Sequence, residues 1–262
     1  MPTTTENVLF GTNAYEGPAN VKLKHDLPGA WKQMNFDIEI LDVKATGFRA
    51  HVYHNDTTKE VVIAYAGTHL ADRGDLEAIR AIIAGRRPKQ FNNALAVYRA
   101  ISELLERKRI RTQVFFTGHS LGGALAQYMA IAVKGCPTET FGAPGILTAL
   151  EDLNGTYDRL YPYPVVNHVA AGDIYGNYGV HVGTVVRHVI DPTDVLLFGA
   201  LLRIRPLLFF TVYSGFFLHG AERYRHALNQ REGAFDPVHP NYIKDDGYKI
   251  DAGPKKKPVW RW

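Results

Sequence analysis

The stretch Thr117-Gly118-His119-Ser120-Leu121-Gly122-Gly123 places a serine between glycines at a point where the residue pattern changes. Residues 112–116 (TQVFF) before it are β-branched and aromatic, which is typical of a strand. Residues 124–133 (ALAQYMAIAV) after it are typical of a buried helix, and Gly135 is placed to end that helix. A strand that turns sharply into a helix at a serine, with glycine two positions before and after it, predicts a nucleophile elbow. The glycines are needed because larger side chains there would obstruct the crossing strand and helix.

The composition favours one globular domain. The chain has 262 residues, of which 46% are hydrophobic, so it can bury a substantial core. No low-complexity linker or internal repeat divides it, and we expect a single domain spanning residues 1–262. The single cysteine, Cys136, cannot form an intramolecular disulfide, which agrees with a reducing compartment.

The N-terminus and the charged residues bear on location and partners. Residues 1–7 (MPTTTEN) lack the basic opening and apolar run of a secretory signal, so we expect a cytoplasmic protein or one exported without a classical signal peptide. The net charge is +4, and basic residues collect at 86–89 (RRPK) and in the tail 254–262. Such runs are usually solvated, but together with Trp260 and Trp262 they also suit contact with anionic lipid. No nucleic-acid-binding module accompanies them, so we do not expect nucleic acid as a partner.

The order of predicted elements indicates an α/β fold. The predicted strands cover an antiparallel meander at 36–43, 48–53 and 61–65, the elbow strand, and later strands near 139–141, 165–170 and 180–190. The predicted helices cover residues 75–84, 92–107, 124–133 and 221–230. Two helices lie between the apolar strand 61–65 and the elbow strand, which completes a β-α-β unit and predicts a parallel pair. We therefore expect a mostly parallel central sheet with an antiparallel N-terminal meander and helices on both faces.

A serine nucleophile needs a histidine base and an acid that orients the histidine, and in a fold with a serine elbow the chain order is Ser, then Asp or Glu, then His. Asp173 follows the predicted strand 165–170, and function in open α/β sheets gathers at the carboxyl ends of strands. Asp191 and Asp194 lie in a segment typical of a turn. Asp173 is therefore the expected acid.

The residues alone leave the base open. The histidines that follow Asp173 are His181, His188, His219, His226 and His239. His219 precedes the terminal helix in a loop that can reach over the sheet edge. His226 lies about two turns further along, roughly 10 Å away, so both cannot serve one serine.

The developing oxyanion of an acyl-transfer reaction needs hydrogen-bond donors. One is the backbone N–H of the residue after the nucleophile, here Leu121. The other is expected in the loop after the strand that neighbours the elbow strand. Thr68 follows the strand 61–65, so its amide, with its hydroxyl, is the second candidate.

Several motifs together resemble class 3 lipases, the fungal-lipase-like α/β hydrolases. The matching motifs are residues 64–68 (AYAGT), 118–123 (GHSLGG), 140–144 (TFGAP), 172–173 (GD) and 181–184 (HVGT). The resemblance covers roughly residues 35–230 and implies an α/β-hydrolase fold. It also implies Ser120 as nucleophile, Asp173 as acid, and Thr68 and Leu121 as oxyanion donors.

The resemblance also bears on the histidine. In this family the histidine of the His-Val-Gly segment, here His181, is not the base. His219 followed by Tyr224 is similar to the His-x-x-x-x-Tyr-x-x-Ala-Leu ending of bacterial relatives, which implies His219 as the base. One departure is Ala66, where the family usually has a basic or aromatic residue before Gly-Thr.

The apolar segment 195–218 bears on the substrate. Arg203, Arg205 and Pro206 interrupt it, so neither half has the roughly 20 apolar residues needed to span a bilayer. It reads either as buried helices or as a hydrophobic wall or lid beside the catalytic groove. Residues 69–90 are a second lid candidate, since the family places its lid after the oxyanion loop.

These features predict a serine carboxylic ester hydrolase of lipase or phospholipase A type, acting on acylglycerols or phospholipids through an acyl-enzyme. The alternatives are a short-chain carboxylesterase and a catalytically silent member that binds lipid or a protein partner. No metal or organic cofactor is expected, because the histidines and carboxylates show no ligand spacing beyond the triad.

Overall fold

The structure, a computed structural model, describes residues 1–16, 23–34, 37–69, 71–150, 158, 161–188, 219–229 and 243–244. The apolar segment 195–218 and the tail 254–262 therefore lie outside the described residues, as do Asp191, Asp194 and His239. Within the described ranges, no helix combines the length and the apolar character needed to cross a bilayer.

The described strands form one mixed nine-stranded sheet. They are β1 (Trp31–Gln33), β2 (Asp42–Val43), β3 (Phe48–Asn55), β4 (Glu60–Tyr65), β5 (Gln113–His119), β6 (Thr138–Phe141), β7 (Val165–Ala170), β8 (Thr184–His188) and β9 (Ile243–Lys244). The order is β1-β3-β4-β5-β6-β7-β8-β9, with β2 paired to β3. Strands β4 to β8 run parallel, and the pairings at both margins are antiparallel. The parallel strands therefore all end at one edge of the sheet.

The described helices are α1 (Thr4–Asn13), α2 (Ile38–Leu41), α3 (Arg73–Ile83), α4 (Gln90–Arg107), α5 (Leu121–Val133) and α6 (Ala221–Asn229). They cover both faces of the sheet, because the side chains of β4 point alternately into two cores, each shared with different helices. Ile63 and Tyr65 pack into the core shared with α4 and α5, while Val62 and Ala64 pack into the core shared with α1. The burial of β4 on both faces is what its apolar run predicts.

The predicted α/β class is confirmed, and one local prediction, the strand 36–43, needs correction. Residues 38–41 form a short helix instead of the first part of a strand, because Asp37 caps the segment by accepting the Glu39 N–H on its side chain and the Ile40 N–H on its carbonyl. Of residues 37–43, only Asp42–Val43 pair with β3.

Helix α1 was not predicted. Its signal is local: Thr3 and Glu6 form a capping box, in which each side chain binds the other residue's backbone N–H. The apolar residues that follow bury against the sheet, where the Phe10 ring stacks on Tyr53 with centroids 4.6 Å apart. Helix α1 thereby brings the N-terminal segment next to the elbow strand β5.

Candidate active site

Ser120 stands between the end of β5 and the start of α5. Its backbone has φ 56° and ψ −123°, a conformation that costs free energy for a residue with a Cβ. The Ser120 N–H donates to the carbonyl of Phe141 at the end of β6, at 2.9 Å. The sharp turn leaves the Ser120 side chain at the carboxyl edge of the sheet.

The glycines beside Ser120 lie at close backbone contacts. A Cβ on Gly118 would lie 2.4 Å from the carbonyl carbon of Gly122, and a Cβ on Gly122 would lie 2.0 Å from the carbonyl oxygen of Tyr65. These distances are far below van der Waals contact, so the start of α5 passes over β4 and β5 only because both residues lack side chains.

Asp173, His219 and Ser120 form a continuous chain of hydrogen bonds. His219 Nε2 lies 2.7 Å from Ser120 Oγ, and His219 Nδ1 lies 2.9 Å and 3.0 Å from the two carboxylate oxygens of Asp173. Because a carboxylate accepts only, Nδ1 carries the proton and the Nε2 lone pair faces the serine hydroxyl. This is the arrangement in which a histidine can remove the proton of a serine.

The Asp173 carboxylate is fully buried and well supplied with donors. The N–H groups of Tyr175 and Gly176 donate to Oδ1, each at 3.0 Å, and the Tyr224 hydroxyl donates to Oδ2 at 3.1 Å. Burial acts to raise the pKa of Asp173, but the hydrogen bond and charge of His219, with the Gly176 and Tyr224 donors, outweigh it and hold this pKa below its ordinary value. Asp173 is therefore ionised at neutral pH.

Tyr224 is a site residue that the residue-level reasoning did not single out. It lies in α6, is almost fully buried, and its hydroxyl also accepts the N–H of Ala170 at 2.8 Å. The sequence signal for Tyr224 is its spacing from His219, which places the tyrosine on the following helix within hydrogen-bonding distance of Asp173.

The other histidine side chains are engaged elsewhere or not described. His181 Nε2 lies 2.7 Å from the carbonyl of Ala143, and His188 Nε2 lies 2.8 Å from His168 Nδ1. His226 lies within α6, where only its backbone is described. In the part of the chain that the structure describes, no three His, Cys, Asp or Glu side chains form a candidate metal site.

The segment after β4 lies directly beside the elbow. A Cβ on Gly67 would lie 2.8 Å from the His119 carbonyl oxygen, so this loop contacts the elbow backbone. Thr68 Oγ1 is buried and, among the described residues, has no hydrogen-bond partner. The Leu121 N–H has no acceptor within α5, because Leu121 is the first residue of that helix. Thr68, in the loop that contacts the elbow, and the Leu121 N–H, next to Ser120, are therefore the candidate donors at this site.

Asp75 anchors this loop from helix α3. Its buried carboxylate accepts the His69 N–H at 2.7 Å and the Gln90 side-chain amide at 2.8 Å. Burial raises the pKa of Asp75 above its ordinary value, and the hydrogen bonds from His69 and Gln90 only partly offset this. The lid candidate 69–90 is therefore tied to the loop after β4 through the first turn of α3.

Large apolar side chains are exposed at the end of α3 and in the segment after β7, and form what we call the apolar rim: Ile83, Ile174, Tyr175, Tyr178 and Val180. The two parts of the rim are in contact, since the Tyr178 hydroxyl donates to the Ile83 carbonyl at 3.0 Å. It also reaches the site, because the Tyr175 ring lies 5.1 Å from the His219 ring. The exposed cations Arg86, Arg87 and Lys89 follow Ile83 in the chain.

A protein-family model described as a Tle-like phospholipase domain matches residues 12–157, over half of the chain. The matched region contains Thr68 and Ser120, whereas Asp173 and His219 lie beyond it. No curated protein shows significant sequence similarity to the chain.

The chain is also similar to solved lipase structures. The Lip2 lipase of Yarrowia lipolytica is 15% identical, with a TM-score of 0.47, covering 68% of this chain and 77% of that one. Lipase II of Rhizopus niveus is 20% identical, with a TM-score of 0.41, covering 60% and 66% of the two chains. The Rhizomucor miehei lipase, in complex with its propeptide, is 17% identical, with a TM-score of 0.42, covering 63% and 58%.

Proposed function

Because the chain belongs to the Tle-like phospholipase domain family, we propose that it is a serine hydrolase that cleaves carboxylic esters of lipids, as a lipase or a phospholipase A does. The observation that carries this proposal is the chain of hydrogen bonds from Asp173 through His219 to the Ser120 hydroxyl. A histidine held by a buried carboxylate activates a serine that is otherwise a weak nucleophile.

In the acylation half of the reaction, Ser120 Oγ attacks the carbonyl carbon of the ester as its proton passes to His219 Nε2. The carbonyl oxygen becomes an oxyanion, which the Leu121 N–H and the amide and hydroxyl of Thr68 stabilise. The carbon–oxygen bond to the leaving alcohol then breaks, and His219 returns its proton to that alcohol. Ser120 is left esterified to the acyl group, while the ionised Asp173 stabilises the transient imidazolium.

Deacylation repeats these steps with water. His219 removes a proton from the water, the resulting hydroxide attacks the acyl carbon, and the Ser120 oxygen leaves with the proton that His219 held. The products are a carboxylate, released with its proton to solvent, and free Ser120. No atom beyond the ester and one water is required.

The apolar rim supports an apolar substrate and contact with a lipid surface. Its exposed side chains lie at the same sheet edge as Ser120, so acyl chains that reach the serine would pass over them. The adjacent cations Arg86 and Lys89 favour anionic headgroups. We therefore place the lipid surface against this edge of the sheet.

Labelling with a fluorophosphonate probe tests the nucleophile. The wild-type protein should label, and Ser120→Ala should lose at least 100-fold of the labelling rate, since this change removes the nucleophile and leaves the oxyanion donors in place. Ser102→Ala, a serine on helix α4, is the matched control and should label like wild type. Equally weak labelling of wild type and Ser120→Ala would favour the catalytically silent, lipid-binding alternative.

The acyl chain is tested with nitrophenyl esters of about two to sixteen carbons. A lipid-ester hydrolase should keep or gain activity as the chain lengthens and respond to an added lipid interface. A sharp optimum at the shortest ester, with no response to the interface, would favour the short-chain esterase.

A further inference from the structure

His119, the residue before the nucleophile, makes two hydrogen bonds that link separate parts of the site. Its Nδ1 lies 2.7 Å from the Tyr15 hydroxyl, and its Nε2 lies 2.5 Å from the backbone carbonyl oxygen of His219. The ring is buried and lies beside the His219 ring, with centroids 5.0 Å apart. His119 therefore contacts the backbone of the residue whose side chain faces Ser120.

The partners determine the tautomer of His119. The carbonyl of His219 can only accept, so His119 Nε2 carries the hydrogen. Nδ1 of the neutral ring is then an acceptor, and the Tyr15 hydroxyl donates to it. Burial, and next the charge of His219, lower the pKa of His119 to about 3, so this ring is neutral at the pH where the base works.

Tyr15 also binds the oxyanion loop. Its hydroxyl packs directly on Gly67, where a Cβ would lie only 1.7 Å from that oxygen. Its carbonyl accepts the His69 Nε2–H at 3.0 Å. Tyr15 lies in the short 3₁₀ turn Ala14–Glu16 that follows helix α1, so one residue of the N-terminal segment contacts both the oxyanion loop and the elbow.

We propose that His119 and Tyr15 are positioning residues for the base. The His119 ring holds the backbone of His219, while Ser120, the residue after His119, contacts the His219 ring. The inference rests on the proposed serine-hydrolase function. The two contacts close a ring of atoms: Ser120 Oγ to the imidazole of His219, along His219 to its carbonyl, and from there through the His119 side chain back to Ser120.

We expect the closed ring of contacts to raise the rate of the reaction by keeping His219 aligned with Ser120. Asp173 orients the His219 ring through Nδ1 but does not hold the His219 backbone, and a shift of that backbone would move Nε2 off the line to the serine proton. With both contacts, the base keeps its approach through acylation and deacylation, and correct alignment of reacting groups is a large part of the rate. The neutrality of His119 also keeps a second positive charge away from His219 when the imidazolium forms.

Two substitutions of His119 separate positioning from packing. His119→Leu fills a similar volume without a donor, and we expect kcat to fall about 10- to 100-fold with KM within about twofold. His119→Gln presents an amide N–H near the position of Nε2, so its kcat should be at least about tenfold higher than that of His119→Leu. The rate of fluorophosphonate labelling should follow the same order, because it also depends on the base.

Tyr15→Phe is the second, independent variant. It keeps the ring against Gly67 and removes only the hydroxyl that donates to His119, so we expect a decrease of about three- to tenfold in kcat with KM unchanged. If His119→Leu does not fold, the kcat of Tyr15→Phe still tests the positioning role.

The outcomes are distinguishable. A wild type that labels no faster than Ser120→Ala would overturn both the proposed function and this inference. A reactive wild type with folded His119→Leu or Tyr15→Phe at full kcat would overturn the positioning role alone. Equal losses in His119→Leu and His119→Gln, each accompanied by an equal fall in Tm, would also overturn it, because a purely structural residue behaves in that way.

Discussion

At the scale of single residues, the site combines a strained backbone at Ser120 with a buried carboxylate, Asp173, that accepts several hydrogen bonds. Ser120 holds a positive φ that its neighbours impose, and Asp173 receives donors from the backbone, from Tyr224 and from His219. Such a carboxylate stays ionised in a buried place because its charge is fully hydrogen-bonded. Backbone geometry thus presents the Ser120 hydroxyl, and hydrogen bonds orient the His219 ring.

The neutral state of His119 leads to a prediction about stability and pH. Its pKa is about 3 in the folded protein against the ordinary 6.5, so between these values the unfolded chain binds a proton that the folded chain does not. Stability should therefore fall as pH falls through this window, by up to about 1.4 kcal/mol per pH unit. The groups that face the ring are Tyr15, His219, Asp173 and Tyr224.

Urea unfolding of wild type and His119→Gln at about pH 7, 6 and 5 measures this effect. The wild-type free energy of unfolding should decrease more steeply with acid than that of His119→Gln. His181, whose pKa is also lowered by burial, contributes to both proteins alike and cancels in the comparison. Identical slopes would mean that His119 is protonated in the folded protein.

At the scale of elements, the parallel strands assemble the site. Strands β4, β5 and β7 end at the same sheet edge, so the residues that follow them, Thr68, Ser120 and Asp173, lie at that edge although they are far apart in the chain. Helix α1 packs against β5, and the 3₁₀ turn after α1 holds Tyr15. The element that the sequence analysis missed is therefore part of the site's support.

The contact between α5 and the strands leads to a test with two glycines. Gly122→Ala puts a Cβ against the Tyr65 carbonyl oxygen, a backbone atom that cannot move aside, and should cost about 3 kcal/mol of unfolding free energy. Gly11→Ala is the matched control: its Cβ would lie 3.4 Å from the nearest atom of β5, an ordinary contact, and alanine favours a helix by about 0.5–1 kcal/mol. We expect it to be neutral or stabilising in urea unfolding. A similar loss in both variants would contradict the close approach of α5.

At the scale of the whole molecule, the two edges of the sheet differ in the apolar side chains that they expose. The edge of the sheet that carries Ser120 also has the apolar rim. Ile110, an exposed apolar residue just before β5, lies at the opposite edge. Both edges also carry exposed cations, Arg86 and Lys89 at one and Lys108 and Arg109 at the other. Charge therefore does not distinguish the two edges, and the proposal that a lipid surface meets the apolar rim depends on the position of Ser120.

Vesicle binding tests this orientation. In a Ser120→Ala background, which leaves the lipid intact, Ile83→Glu should reduce co-sedimentation with phosphatidylcholine–phosphatidylglycerol vesicles at least about threefold, because it places a negative charge in the apolar rim. Ile110→Glu is the matched control, since Ile110 is 44% exposed and Ile83 is 52% exposed. It should bind like the background protein. Equal reductions in the two variants would show that the rim is not the docking surface.

The sequence by itself determined the α/β class, the elbow and the place of Asp173, because each is written in short-range patterns: alternating apolar residues, glycines around a serine, and an acid after a strand. It did not determine the helix at 38–41, where capping by Asp37 outweighs the strand pattern of the apolar residues. Among the histidines, a family resemblance and not the residues themselves singled out His219.

Only the tertiary structure decided which groups touch. The contacts of Tyr15 with His119, of His119 with the His219 carbonyl, and of Tyr224 with Asp173 join residues that are about 50 to 100 positions apart. Such contacts depend on how α1 and α6 pack against the sheet, and packing is set by the whole core and not by any local run of residues. Seven consecutive residues encode the turn at Ser120, whereas the contacts around His219 depend on the whole fold.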